Sequence, residues 1–223
     1  MKIRTFEELQ TKLDDDFAWR RKELTVILTN VQFSKPLQLN TNIRIGVVML
    51  YAHWEGFIKN SAELYLVYVA CKKLKFNELS NNFIAISLKE KLKEFEGTNK
   101  HTIHTKLIDY LLGDLNFRAF IPTNNIIKTQ SNLNYEILRE ILSIIGVDYI
   151  QYELKEKYID SQLLRIRNSV AHGQDPDIKE KEFYDLFDEM TSLMVSIKTD
   201  ISNNAAESNY KKYVHTRSSN LQG

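Results

Sequence analysis

Apolar residues recur along most of this chain at the spacings of three and four that mark one face of a helix, and strand-like alternation is scarce. Phe6, Leu9, Leu13, Phe17, Leu24, Ile27 and Leu28 predict a first helix from about residue 5 to about residue 30, with Thr5 as N-cap and Glu8 in the capping-box position. Phe33-Ser34-Lys35-Pro36 breaks it. Ile43, Val47, Leu50, Trp54, Phe57, Leu64 and Tyr68 predict a second long helix over about 40–75, the natural partner for the helix that ends at His172. Shorter helices are expected over 87–95, 106–112 and 132–145, the last ended by Gly146, with 120–131 irregular or briefly extended. A further helix runs from about Gln151 to His172, Gly173 ends it, and Gln174-Asp175-Pro176-Asp177 reads as a turn. Phe183, Leu186, Phe187, Met190, Leu193, Met194, Ile197 and Ile201 form the cleanest stripe, a core-facing helix over about 178–201. The expected fold class is therefore all-α, with one helical domain over residues 1–202. A polar tail, 203–223, follows; it has no apolar period and a Lys211, Lys212, Arg217 cluster, open to flexibility or to contact with RNA or a partner.

Composition adds limits. With 223 residues, 43% of them hydrophobic, the chain can bury a substantial core, and 7 Gly and 3 Pro leave few breaks in the helices. The net charge of +1 gives no chain-wide nucleic-acid footprint, so any such contact must be local, as in a groove built by dimerisation. Trp19-Arg20-Arg21-Lys22, the one dense basic patch of the first helix, reads as a solvated face with the Trp tucked beneath. The single Cys71 excludes an internal disulfide and a cysteine zinc cluster, and is expected to be a buried thiol in a reducing compartment. The start of the chain has no apolar leader and the longest apolar run, 45–52, cannot span a bilayer, so a soluble cytoplasmic protein without a membrane partner is expected. His101-x-x-His104 lacks a third ligand at a readable spacing and is taken as surface polarity. There is no P-loop, dinucleotide fingerprint or Gly-x-Ser-x-Gly elbow, and no metal or cofactor is expected.

The candidate chemistry lies in Arg167-Asn168-x-x-x-His172. Leu163, Ile166 and Val170, with Ile159 one turn earlier, form an apolar face; Arg167 flanks it, and Ser161, Arg165 and Ser169 lie opposite. A guanidinium so placed must be paired, hydrated in a cleft or offered to an anion. Arg167 suits a phosphate, and His172, at the helix end, can exchange a proton near neutral pH. Five residues at about 100° each set the two roughly 140° apart, so one helix does not aim both at one point. Two copies paired about a twofold axis resolve this, each cleft collecting Arg and His from both chains. In the second helix Tyr51, Glu55 and Lys59 stand four apart; Glu55 either pairs with Lys59 on the surface or faces and orients Arg167 or His172. His53 reads as packed or interfacial.

Arg167-Asn168-x-x-x-His172 is similar to the R-x4-6-H motif of HEPN domains, and two further stretches, Leu50-Tyr51-Ala52-His53-Trp54-Glu55-Gly56-Phe57-Ile58-Lys59 and Asn132-Leu133-Asn134-Tyr135-Glu136-Ile137-Leu138, resemble the MAE-type HEPN family. The resemblance covers about residues 1–202. It implies an all-helical bundle dimerising through the motif helix, and a metal-independent endoribonuclease of a toxin–antitoxin or phage-defence system, with RNA as substrate and an antitoxin or defence partner. In that reading Arg167 and His172 are catalytic, Asn168 and Glu55 support and position, and the products carry a 2′,3′-cyclic phosphate. The alternative is a non-catalytic HEPN module that binds nucleotide or RNA or serves assembly. Some relatives are neutralised by nucleotide transfer to a Tyr two residues after the motif His; here Gln174 stands there, which argues against that mode.

Overall fold

Thr5 opens the first helix as its sequence predicts: its hydroxyl accepts from the Glu8 N–H, and the Glu8 carboxylate accepts from the Thr5 N–H. Such a cap stabilises the helix by about 1 kcal/mol. The computed structural model describes residues 1–96, 100–113 and 115–212. The helices are α1 (Phe6–Gln32), α2 (Pro36–Cys71), α3 (Asn81–Glu96), α4 (His101–Gly113), α5 (Tyr135–Ile145), α6 (Arg165–Ala171) and α7 (Glu180–Ala206). Among the described residues there is no strand, only the isolated bridges Lys75–Arg118 and Leu79–Lys211. The fold is the expected all-α bundle, and no helix among these residues is long and apolar enough to cross a membrane.

Pro36 occupies the first turn of α2, where its missing N–H costs nothing, so the residue expected to break one helix also begins the next. α2 carries Tyr51, Trp54, Phe57 and Tyr65, all essentially inaccessible, and packs against α1 on one side and α7 on another. α5 and α6 also lie on α2, while α3 joins α5 to α4. Gly146, at φ 72°, takes the left-handed turn that ends α5.

The predicted continuous helix from Gln151 is instead three segments: a 3₁₀ stretch over Ile150–Lys155, a π-helical one over Lys157–Leu164, and then α6. Ile159, Leu163 and Leu164 are all buried. Residues four and five ahead of Ile159 must both face inward, which the wider i→i+5 turn permits and an α-helix resists. The chain after 202 does not leave the bundle at once. α7 continues to Ala206, Tyr210 is buried, and the Ser80 and Lys212 N–H groups donate to the Tyr210 and Glu78 carbonyls at 3.0 and 2.9 Å. Arg217 and the rest of 213–223 lie outside the described residues.

Two local expectations change, and one of the two readings of Glu55 falls away. Arg20 is not on a solvated face: it is buried, pairs with Asp16 at 2.9 Å and donates to the His53 carbonyl at 3.3 Å, while Trp19 is 47% exposed. Cys71 is half-buried, because it ends α2 beside an open cleft. Lys59 makes no ion pair with Glu55 among the described residues. His53 is packed as expected, 3% exposed, with its Nε2 3.1 Å from the Glu23 carboxylate.

Two stability predictions follow from this packing. A Cβ on Gly46 would lie 2.7 Å from the ring of Phe183, itself fully buried, so Gly46→Ala is expected to lower stability by about 1–3 kcal/mol despite alanine's better helix propensity, read by urea denaturation. Burial, reinforced by Arg20 and opposed by Glu23 and Asp16, holds the His53 imidazole below its ordinary value of 6.5. The folded protein therefore prefers neutral His53: this stability is complete above pH 6.5 and is lost as pH falls through the lowered value. Wild type should lose more melting temperature than His53→Gln between about pH 7 and about pH 5; equal losses would refute the assignment.

Candidate active site

Antiparallel packing of α6 on α2 places the front of the motif beside Tyr51 and its end beside Arg44. Arg167, half-buried, lays its guanidinium over the Tyr51 ring, 4.3 Å from the centroid. It donates to the Asn168 side-chain oxygen at 2.7 Å and to the Ser131 carbonyl at 3.4 Å. Asn168 in turn donates to the Asn132 side-chain oxygen at 3.3 Å. None of these partners is a carboxylate, and among the described residues Arg167 makes no ion pair, so its charge is held but not neutralised.

The holder is built from two places. Tyr51 comes from the buried face of α2, and its hydroxyl accepts from the Leu133 N–H at 2.7 Å. Burial pushes the phenol up to about 12; the Leu133 N–H and the Arg167 guanidinium oppose this, and the Glu55 carboxylate raises it further. The phenol thus stays protonated at neutral pH. The other side is the segment leading into α5, where Gln130 and Ser131 both have left-handed backbones, φ 55° and 56°. Two such non-glycine residues in succession cost roughly 1–3 kcal/mol each. The segment is nevertheless tied at each step: Ser131 and Asn132 to the motif, Leu133 to Tyr51, Asn134 as the α5 cap, and the Tyr135 N–H to Asp160 at 2.7 Å.

His172 follows α6 as its C-cap, and its N–H donates to the Asn168 carbonyl at 3.0 Å. Its side chain is exposed and makes no hydrogen bond or ion pair among the described residues. Gly173, at φ 73°, turns the chain away, and the Gln174 N–H closes back on the Ser169 carbonyl at 2.9 Å. Arg44 reaches Asp175 at 2.6 Å across this turn. A cleft of about 450 Å³ beside it is lined by Ile45, Val48, Met49 and Val170 among others.

Of the four residues singled out in sequence, Arg167, Asn168 and Glu55 gather around Tyr51, and His172 stands one turn further on. Glu55 acts at one remove, next to the phenol, with no ion pair to Arg167. Tyr51 and the 131–133 backbone were missed as site components, although both lie in or beside the two stretches that carry the family resemblance. Their contact across 82 positions leaves no trace in local pattern. His101 and His104 are exposed on α4.

An all-α bundle that presents an Arg-x4-His motif at the end of a short helix packed on a long central one is the arrangement expected of HEPN domains. A family model described as RiboL-PSP-HEPN matches residues 15–203, and the chain belongs to that family. The match establishes the HEPN superfamily and does not extend to the MAE-type branch. No curated protein and no solved structure matches the chain.

Replacing Tyr51 by Phe keeps the ring beneath Arg167 but leaves the buried Leu133 N–H without its acceptor. Tyr51→Phe should therefore destabilise the protein by about 1–3 kcal/mol in chemical denaturation. A change within error would mean that the segment relaxes to find another acceptor.

Proposed function

We propose that this protein is a metal-independent endoribonuclease of a toxin–antitoxin or phage-defence system, working in the cytoplasm as a homodimer. The observation that carries the reading is Arg167, fixed by an aromatic ring, an amide and a carbonyl, with an exposed imidazole five residues on, neither of them in an ion pair among the described residues. A structural arginine drawn out of solvent is normally paired with a carboxylate, as the buried Arg20 is with Asp16. One held only by neutral groups keeps its field for an anion, and a phosphodiester fits its fork.

In the reaction, the ribose 2′-hydroxyl attacks the adjacent phosphorus and the bond to the 5′-oxygen breaks. The products are a 2′,3′-cyclic phosphate and a 5′-hydroxyl. Arg167 stabilises the charge that grows on the non-bridging oxygens, and Asn168 holds the guanidinium in place. One proton must leave the 2′-oxygen while another reaches the 5′-oxygen, so a single His172 cannot serve both ends in one step. Two copies supply two imidazoles. The exposed apolar residues Trp19, Val26 and Ile45, which flank Met49 on the same side as the His172 turn, offer a surface for that pairing. Glu55 acts through Tyr51 as a positioning residue. An antitoxin or defence partner would be needed to restrain such an activity in the cell.

End-labelled mixed RNA incubated with EDTA tests the proposal. Wild type should cut it to 2′,3′-cyclic phosphate ends, while Arg167→Ala and His172→Ala, folded and with unchanged oligomeric state, should lose at least about a hundredfold in rate, the scale of lost acid–base or charge stabilisation. DNA should remain intact. RNA bound but never cut by folded dimer would support the non-catalytic binding module instead.

A further inference from the structure

At the far end of α2 lies a second cleft, of about 540 Å³, lined by Lys2, Arg4, Lys73, Arg118, Phe120 and Cys71, with no Asp or Glu in its wall. We propose that this cleft binds single-stranded nucleic acid through its phosphates and one stacked base.

The walls are firmly built. Ile3 is fully buried and pins the N-terminal segment. Lys73, with a left-handed backbone at φ 56°, turns the chain out of α2. Residues 117–119 are then zipped to 74–76: the Phe76 N–H donates to the Phe117 carbonyl at 3.1 Å, the Ala119 N–H to the Leu74 carbonyl at 2.9 Å, and Lys75 bridges Arg118. Ala119 and Ile121 point inward and are buried, so the two-residue alternation of this extended piece drives Phe120 outward, where it is 78% exposed. Glu7, whose charge reaches Lys72, and Glu8, which accepts the Arg4 and Thr5 N–H groups, both stay outside the wall, and Lys72 adds a fifth cation at the rim, donating to the Arg4 carbonyl at 3.0 Å.

In a chain of net charge +1, four cations around one carboxylate-free cleft amount to a local field that the composition hides. Cations alone would suit any polyanion. The exposed ring among them selects a ligand that carries both phosphates and flat bases, and single strands expose their bases for stacking. Tyr51 and Cys71 are twenty positions apart on α2, which places the cleft roughly 30 Å from the Arg167 site and roughly 200° around the helix. It is a separate site, and nothing in its chemistry reads the 2′-hydroxyl.

That separation allows a test that does not depend on cleavage. A fluorescein-labelled oligothymidine of about 12 nucleotides, which lacks the 2′-hydroxyl, is titrated with the full chain and followed by anisotropy. Lys73→Glu with Arg118→Glu should weaken binding at least about tenfold and flatten its salt dependence, and Phe120→Ala should weaken it about fivefold or more. On the unaltered protein, saturating oligonucleotide should slow alkylation of Cys71, the only thiol in the chain, by N-ethylmaleimide. No oligonucleotide binding, binding indifferent to the charge reversal, or an unprotected Cys71 would each overturn the proposal. So would binding to phosphatidylserine vesicles that depends on these residues while the oligonucleotide is ignored. Failure of RNA cleavage leaves all of these readouts unchanged.

Discussion

The contact between the Tyr51 ring and the Arg167 guanidinium is the one on which the geometry of the motif depends. Partial burial of an arginine is costly, and the usual remedy, a carboxylate, would cancel its charge. Here the cost is offset by groups that carry no net charge: the negative face of the ring, the Asn168 amide and the Ser131 carbonyl. Each contributes a fraction of what an ion pair would. Together they fix the fork while leaving its field intact.

Holding Arg167 this way requires support from elsewhere in the chain. The hydroxyl of Tyr51 is locked by the Leu133 N–H, and the segment that supplies it accepts two strained residues, Gln130 and Ser131, to bring a carbonyl and an N–H to the right places. α6 itself has no fully buried residue, and its packing on α2 through the half-buried Ile166 is not by itself enough to fix where it lies. That falls to the π-helical turn before it, where Ile159, Leu163 and Leu164 are all driven into the core, and to the Gly173 turn after it. A short helix clamped at both ends holds Arg167 in place and leaves the His172 side chain exposed.

The basic cleft at the other end of α2 follows the same economy. A near-neutral chain carries its positive charge where two otherwise unrelated segments meet, and the alternation of Ala119, Phe120 and Ile121 turns one aromatic outward beside it.

Local pattern determined a great deal of this protein. Helical period, the Thr5 cap, Pro36, Gly146 and Gly173 are read from neighbours a few positions apart, because capping and amphipathicity are short-range effects. The all-α fold was legible for that reason, while Arg167 and His172 stood out as candidates by their chemistry, and Asn168 and Glu55 through the family resemblance. Where physics acts between distant positions, the sequence was silent. The core into which both Leu163 and Leu164 pack turned an expected α-helix into a π-helical one; Arg20 was drawn inward against α2, where it donates to the His53 carbonyl; and Glu55 was left beside a phenol instead of an arginine. Only the tertiary structure decided that Tyr51 and the 131–133 segment hold Arg167, since residues so far apart share no periodicity, and only their meeting over one buried ring makes them a site.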